Sequence, residues 1–553
     1  MVRNLALTHT RTIVGIDAPL VTVEAHISHG MPGFSMVGLP ETAVRESKDR
    51  VRSAIINSRL TFPGKRLTVN LAPADLPKHG SRFDLAIAIA ILAASGQIHS
   101  ADLPQYEFMG ELALSGALRR VPYGLIQSIA SQKENLILFL PEDNAAEAQL
   151  SLHSQLEPSN HLLSVLQKLS SNADHQDKST KTNDNQQAPN KSNLNNRTSA
   201  DSDTKPQAKI FSSAKAKSQP SKQSNKATDR IEKKPFEDVI GQYAAKRALS
   251  IAAAGGHHCL LSGPPGVGKS MLARQFHRLL PPLAHEDALE TLALYCCYRP
   301  HQTYSNYHAA PFRSPHHSAS LAALIGGGNP PKPGEISLAH HGVLLLDELP
   351  EFSRQTLEGL REPMETGMVH ISRAKHSVIF PAQCQLIATM NPCPCGYLGS
   401  KNTPCQCTPT HIQNYQKKLS GPLLDRFDLM VSMETPALLE CASNQSVKRD
   451  NSKKDESNIT DLSERITQTR EKQMKRQGRL NAQLTSGTLR DMTTRSLMDT
   501  LDTLCTKQQL SMRGRDHCLR IAQTIADIDN QPEVSITQLL EALSYRPSPK
   551  HLS

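Results

Sequence analysis

The chain has 553 residues, 38% of them hydrophobic, and a formal net charge of +10, so it is too long for one hydrophobic core and is expected to divide into several domains. No apolar run approaches the roughly 20 residues of a membrane-spanning helix. The start lacks a charged-then-apolar leader, so the eleven cysteines read as reduced thiols of a cytoplasmic protein, and the positive charge points to a polyanion as partner.

In chain order, Pro40-Glu41-Thr42 opens a predicted helix with Val44, Val51 and Ile55 on one face. Leu67-Thr68-Val69-Asn70-Leu71 alternates as a strand does, and Phe83 to Ala94 reads as a buried helix. Four phrases stand out: Val37-Gly38-Leu39-Pro40-Glu41, Val69-Asn70-Leu71-Ala72-Pro73-Ala74-Asp75, Pro77-Lys78-His79-Gly80-Ser81 and Gly110-Glu111-Leu112-Ala113-Leu114-Ser115-Gly116. They resemble the domain related to Lon-type proteases, which implies an α+β, S5-type fold over residues 1–168. The resemblance also says where a proteolytic Ser and Lys would stand. Arg82 occupies the first place, with Ser81 one position off, and Ile126 after Gly124-Leu125 occupies the second. A hydroxyl without a lysine base has no activator, so the domain is read as a non-proteolytic relative that docks partners or grips DNA.

Residues 169–234 form a predicted linker. Ser170 to Lys234 holds thirteen Lys and Arg against seven Asp and Glu, is rich in Ser, Asn, Gln and Lys, and has too few large apolar residues to offset chain entropy. It is expected to be disordered, either as a solvated spacer or as a basic tether that touches nucleic acid.

Gly263-Pro264-Pro265-Gly266-Val267-Gly268-Lys269-Ser270 fits G-x-x-x-x-G-K-[ST]. It follows an apolar strand (Leu260, Leu261) and opens a helix with Leu272, Phe276, Leu279 and Leu280. In such a turn the backbone N–H groups point at phosphate oxygens, and the helix N-terminus adds positive potential. Lys269 can then reach the β- and γ-phosphates of ATP, and Ser270 can ligate Mg²⁺. A His-rich basic patch follows (His308, Arg313, His316, His317), lining a pore or packing at a subunit interface. Val343-Leu344-Leu345-Leu346 suits a strand buried on both faces. Asp347 at its end would hold Mg²⁺, and Glu348 would polarise the attacking water.

Val369 to Phe380 reads as a β-hairpin, with Arg373 and Lys375 at its tip either contacting DNA phosphates or serving as ordinary surface charges. A third strand, Leu386-Ile387-Ala388-Thr389, leads to Asn391, placed to hydrogen-bond a γ-phosphate or the lytic water. Cys393, Cys395, Cys405 and Cys407 could form a closed tetrahedral Zn²⁺ site, with His411 as a substitute ligand, or remain free thiols. In Ser420-Gly421-Pro422-Leu423-Leu424-Asp425-Arg426-Phe427-Asp428, Arg426 either reaches a neighbouring subunit's nucleotide or pairs with Asp425 or Asp428. A polar insertion follows, from Ser443 to Asn458 within the boundary segment 441–460. Leu510-Ser511-Met512-Arg513 then begins a helix running through Ala526, with Arg513 able to fold back onto its own subunit's nucleotide.

These parts resemble the AAA+ class and, within it, the magnesium-chelatase-like branch, from Phe236 to about Arg546. Val239-Ile240-Gly241-Gln242, Arg247-Ala248-Leu249, Pro311-Phe312-Arg313-Ser314-Pro315-His316-His317 and Gly334-Glu335-Ile336-Ser337-Leu338-Ala339-His340 belong to the match. With the Lon-like domain ahead of it, the whole resembles the ComM/YifB family. The resemblance implies a three-layer αβα core over 235–440, a helical lid over 461–550 and a hexameric ring using ATP and Mg²⁺. It makes Asn391 the first sensor, Arg426 the arginine finger and Arg513 the second sensor, and turns the hairpin into the pore. It implies a DNA helicase or branch-migration motor that promotes integration of donor DNA in natural transformation. Such a motor acts on single-stranded and branched DNA without sequence preference, with recombination proteins as further partners and no membrane. A metal-chelatase-type motor subunit remodelling a protein partner, and a Lon-like ATP-dependent protease or unfoldase, are the alternatives. His517 and Gln523 stand where the family would place arginines, so contacts there are expected to differ.

Overall fold

The computed structural model describes residues 4–38, 42–99, 103–180, 235–236, 239–300, 306–373, 376–400, 403–434 and 452–546. The N-terminal part contains β1 (Leu5–Arg11), β2 (Leu20–Ser28), β3 (Gly33–Val37), α1 (Ser47–Asn57), β4 (Arg66–Ala72), α2 (Asp84–Ala94), β5 (Tyr106–Phe108), α3 (Gly124–Lys133), β6 (Ile137–Pro141), β7 (Leu156–Ser159) and α4 (Leu162–Thr180). Seven of its described strands form one sheet in the order β3-β4-β2-β1-β5-β6-β7. The pairs β1–β2 and β2–β4 are antiparallel and the rest parallel. Alternation along β2 and β4 buries Val21, Val23, Ala25, Leu67, Val69 and Leu71 on one face. Every residue of α2 is buried, as its unbroken apolar run requires. The helix predicted from Pro40 is described from Thr42, and one short turn (Thr42–Arg45) precedes α1.

Helix α4 continues past Lys168 to Thr180, into the segment expected to be linker. That stretch has no Gly or Pro to stop a helix already under way. Residues 181–234, the bulk of the expected linker, lie outside the described residues.

The second part runs α5 (Tyr243–Gly255), β8 (Cys259–Ser262), α6 (Lys269–Gln275), α7 (His285–Tyr298), β9 (Phe312–Arg313), β10 (Val343–Leu346), α8 (Arg361–Thr366), β11 (Met368–Arg373), β12 (His376–Pro381), β13 (Gln385–Met390), α9 (Pro409–Gln416) and β14 (Leu429–Ser432). Five strands form an all-parallel sheet in the order β9-β10-β13-β8-β14. Because both faces are covered, the strands read as near-continuous apolar runs, and all four residues of β10 are fully buried. Leu261, Leu345 and Ile387 face one layer with Leu249 and Ile251 of α5. Leu260, Leu344, Leu346 and Ala388 face the other with Leu357, Phe380 and Phe427. Strands β11 and β12 form the predicted hairpin, with Val369 paired to Phe380.

The chain then forms α10 (Ser452–Gln477), α11 (Ser486–Met492), α12 (Arg495–Gln508), α13 (Met512–Ile528) and α14 (Ile536–Ser544). Helix α10 begins inside the expected polar insertion; of that insertion, 441–451 lies outside the described residues. Ile521 and Ile525 of α13 and Leu539 of α14 share the apolar cluster of α5 and the sheet.

The N-terminal part packs on the parallel-sheet part along two seams. Leu125 and Ile126 of α3 meet Leu289, Leu292 and Ala293 of α7. Val14 and Ile16 in the β1–β2 turn join the apolar cluster containing Val378 and Phe380 of the hairpin. Among the described residues, no helix is long and apolar enough to cross a membrane.

Candidate nucleotide site

In a parallel α/β sheet the functional crevice lies beyond the carboxyl ends of the strands. Three candidate groups follow three adjacent strands here: the Gly263–Ser270 loop after β8, Asp347 and Glu348 after β10, and Asn391 after β13. The register Leu261↔Thr389 and Leu346↔Ala388 sets those ends level.

The loop curls as phosphate binding needs. Gly266 (φ +82°) and Gly268 (φ +92°) occupy the left-handed region, and a Cβ on Gly266 would meet open space. Lys269, 8% exposed, begins α6. Its Nζ donates to Gly263 O at 2.7 Å, Pro264 O at 2.8 Å and Asn391 Oδ1 at 2.9 Å. Neutral acceptors thus surround a buried ammonium where anionic oxygens would satisfy it better. Burial lowers the Lys269 pKa, while Asp347 and Glu348 pull it up.

Ser270 Oγ donates to Asp347 Oδ1 at 2.8 Å. Thr389 Oγ1 donates to the same oxygen at 2.5 Å and accepts from Glu348 N–H at 3.1 Å. A hydroxyl and a carboxylate side by side at the foot of a phosphate loop form an oxygen donor set that suits Mg²⁺. Glu348 takes a left-handed backbone conformation (φ +56°), and its side chain is 60% exposed. The turn lifts that carboxylate out of the sheet toward solvent, and His317 Nδ1 lies 3.7 Å from it. Pro265, Val267 and Gly263 complete the loop; a Cβ on Gly263 would lie 2.5 Å from Met433 O.

Arg426 and Arg513 do not join this cluster through any of their described contacts. Arg426 meets the carboxylate of Glu365 and donates to Pro422 O at 2.7 Å and Arg361 O at 3.1 Å. Arg513 Nη2 donates to the other Glu365 oxygen at 2.8 Å. Burial works against the Glu365 carboxylate, but the two guanidiniums hold its pKa below the ordinary range. The alternative pairing of Arg426 with Asp425 or Asp428 is therefore corrected: Asp425 takes Arg546 at 3.0 Å, and Asp428 takes His517. Arg513 stands beside Arg426 on Glu365, where the start of α13 meets α8. His517, where an arginine was expected, instead closes a buried network in which Asp428 Oδ2 also accepts from His258 N–H at 2.9 Å.

The basic patch is less basic than its sequence. Arg313 is neutralised by a two-pronged pair with Glu335 at 2.6 and 2.7 Å, and His308 and His316 bond Leu283 O and Ser318. Lys375 and the side chain of Arg373 lie outside the described residues. The sulfur atoms of Cys393, Cys395, Cys405 and Cys407 all lie within 4.8 Å of one another; His411, on α9, is outside that group. Sequence reasoning missed Thr389 as the support of Asp347, and Glu365 as the shared partner of two arginines. Neither had a local signal: the first depends on the pairing of β13 with β10, and the second joins segments far apart in the chain.

Known proteins resemble the chain along nearly its whole length. The family model described as "Magnesium chelatase, subunit ChlI" matches residues 235–441. "Subunit ChlI of Mg-chelatase" matches 23–144, and "Magnesium chelatase, subunit ChlI C-terminal" matches 456–546. The chain is 43% identical over 546 residues to the uncharacterized protein YifB of Escherichia coli, covering 98% of this chain and 97% of that one. It is 42% identical over 547 residues to competence protein ComM of Haemophilus influenzae, again covering 98% and 97%. A shorter likeness, 28% over 29% of this chain, is to the magnesium-chelatase 67 kDa subunit of Heliobacterium mobile. With a parallel sheet, a phosphate-loop sequence following β8 and likeness along nearly its whole length, the chain belongs to the ComM/YifB family of magnesium-chelatase-like AAA+ proteins.

Proposed function

We propose that the chain is the protomer of a hexameric, ATP-driven DNA motor that migrates branched joints and so extends integration of donor DNA in natural transformation. The observation that carries this reading is the meeting of Lys269, Ser270, Asp347 and Asn391 at level strand ends, with Arg426 and Arg513 grouped apart on Glu365. The grouping supports a site completed by two subunits, one giving the phosphate loop and the next giving the arginines. The name of the Haemophilus influenzae relative supports a role in competence.

In this reading Lys269 releases its carbonyl partners and takes phosphate oxygens of ATP. Bound Mg²⁺, held by Ser270 and Asp347, would supply charge neutralisation to the phosphates. Thr389 keeps Asp347 oriented, and Glu348 polarises the water that attacks the γ-phosphorus as the bond to the bridging oxygen breaks. Asn391 senses the γ-phosphate while tethered to Lys269. Arg426 and Arg513 leave Glu365 and stabilise the charge on the transferred group in the neighbouring subunit. The helices after Ser452 act as the lid that links this event to motion of the ring. The β11–β12 hairpin faces the pore and follows the DNA backbone, the role expected from sequence for Arg373 and Lys375.

The N-terminal part is read as a Lon-like domain without proteolysis. Arg82 is buried, its pKa lowered to about 10 by desolvation, and it donates to Pro122 O; Ile126 is 2% exposed. Neither position offers a nucleophile or a base. A protein-remodelling motor of chelatase type is the rival favoured by the family models. DNA-stimulated ATP hydrolysis separates the two: the DNA motor predicts stimulation by single-stranded oligonucleotide, and the chelatase-type motor predicts none.

A further inference from the structure

We propose that Cys393, Cys395, Cys405 and Cys407 bind one Zn²⁺, and that this tetrathiolate knot props the phosphate loop through Gly396. The Sγ–Sγ separations are 3.4 Å (Cys393–Cys395), 3.7 Å (Cys393–Cys405) and 3.5 Å (Cys395–Cys405). A tetrahedron with Zn–S bonds of about 2.3 Å has edges of about 3.8 Å, so the thiols already stand near ligand spacing. A disulfide would need two of these sulfurs at about 2.05 Å. Backbone donors point at the sulfurs as they do toward metal-bound thiolates: Leu398 N–H to Cys393 Sγ at 3.3 Å and Cys395 N–H to Cys407 Sγ at 3.4 Å. On binding, each thiol gives its proton to solvent and its sulfur to the metal; four protein ligands close the shell, so the site is structural.

The knot has a specific neighbour. Gly396 turns the chain between the two cysteine pairs at φ +85°, with its N–H bonded to Cys393 O at 2.9 Å. A Cβ there would lie 2.6 Å from Cδ of Pro265, inside the phosphate loop. On its other side the knot continues directly from Asn391, whose side chain accepts from Lys269. Gln416 of α9 ties Pro392 O at 3.4 Å, fixing the connecting residue. The loop that cradles phosphate is therefore backed by a turn whose shape depends on four cysteines. The propping claim rests on the nucleotide-site reading above; the metal claim does not.

The test uses the full chain purified under reducing conditions. Metal analysis is expected to find about one zinc per chain, and none in Cys405→Ser/Cys407→Ser. Because that variant could fail to fold, zinc is also stripped from the parent chain with a chelator plus reductant. Affinity for a fluorescent ATP analogue is then expected to fall about tenfold and to return when zinc chloride alone is added back. Gly396→Ala should keep its zinc yet lose nucleotide affinity. A chain that neither carries zinc nor takes it up, or whose sulfurs prove to be disulfides, overturns the metal site. Zinc present but nucleotide affinity indifferent to its removal overturns the prop. Neither readout involves DNA, so failure here is separate from failure of the DNA-motor reading.

Discussion

Thr389→Val isolates how the sheet positions the acids of the nucleotide site. Thr389 is 1% exposed, and valine preserves its shape while deleting both hydroxyl bonds, to Asp347 at 2.5 Å and from Glu348 N–H at 3.1 Å. A hydrogen bond to a charged acceptor contributes about 1.5–3 kcal/mol, and losing the acceptor of the Glu348 N–H adds about 1 kcal/mol. That N–H belongs to a residue in the left-handed region, a conformation costing about 1 kcal/mol that persists only where its surroundings hold it. Thermal or denaturant unfolding should thus show a loss of about 3 kcal/mol. ATP turnover should fall about 10–100-fold, as when outer partners of metal ligands are removed. Thr389→Ser should restore most of both, since it keeps the hydroxyl. The assay is phosphate release at saturating ATP with melting measured in parallel. If Thr389→Val turns over within about twofold of the parent while Asp347→Asn is inactive, the Thr389 hydroxyl does not position the acid.

Arg426→Ala or Arg513→Ala should each lower ATP turnover by roughly 10³-fold while sparing nucleotide binding. Mixing Arg426→Ala chains with Lys269→Ala chains should recover activity at interfaces pairing an intact loop with an intact arginine; no recovery at any ratio would remove the two-subunit site. Arg373→Ala with Lys375→Ala should weaken DNA binding and reduce the slope of log affinity against log salt by about two, with ring assembly intact; equal affinity at every salt concentration excludes the hairpin as the grip. For Asp428, burial works against its charge, but His517 and His257 outweigh it and hold the folded pKa well below the ordinary carboxylate range. Its stabilisation is accordingly complete above about pH 4, the unfolded value, and disappears as pH falls toward the folded one. Asp428→Asn should cost about 3 kcal/mol at pH 7 and flatten acid unfolding, and an unaltered acid limb would contradict this assignment.

Much of the candidate site was legible because binding a phosphate needs residues that neighbour one another in the chain. Gly266, Gly268, Lys269 and Ser270 must sit on one turn, so the turn can be read from eight letters. Val343–Leu346 was legible for another reason: a strand buried on both faces has no polar side to hide. The sheet order was not, because nothing local to β13 says that it lies between β8 and β10. Nor was the meeting of Arg426 and Arg513 on Glu365, which joins three segments far apart in the chain. His517 read as a departure from the family, yet it partners Asp428, a pairing visible only once α13 lies against the start of β14. The continuation of α4 through Thr180 shows that polar composition argues against a core, not against a helix extending from one already formed.

If the proposed function holds, ATP hydrolysis by this chain drives movement of a DNA branch point. The most direct measurement supplies purified chain, ATP and Mg²⁺ to a three-stranded joint carrying a labelled donor strand, and follows displacement of the resident strand, with Lys269→Ala as control. The resident strand should be displaced by the parent chain and stay in place with the variant. Vigorous ATP hydrolysis with the branch point left at its starting position would contradict the proposed function.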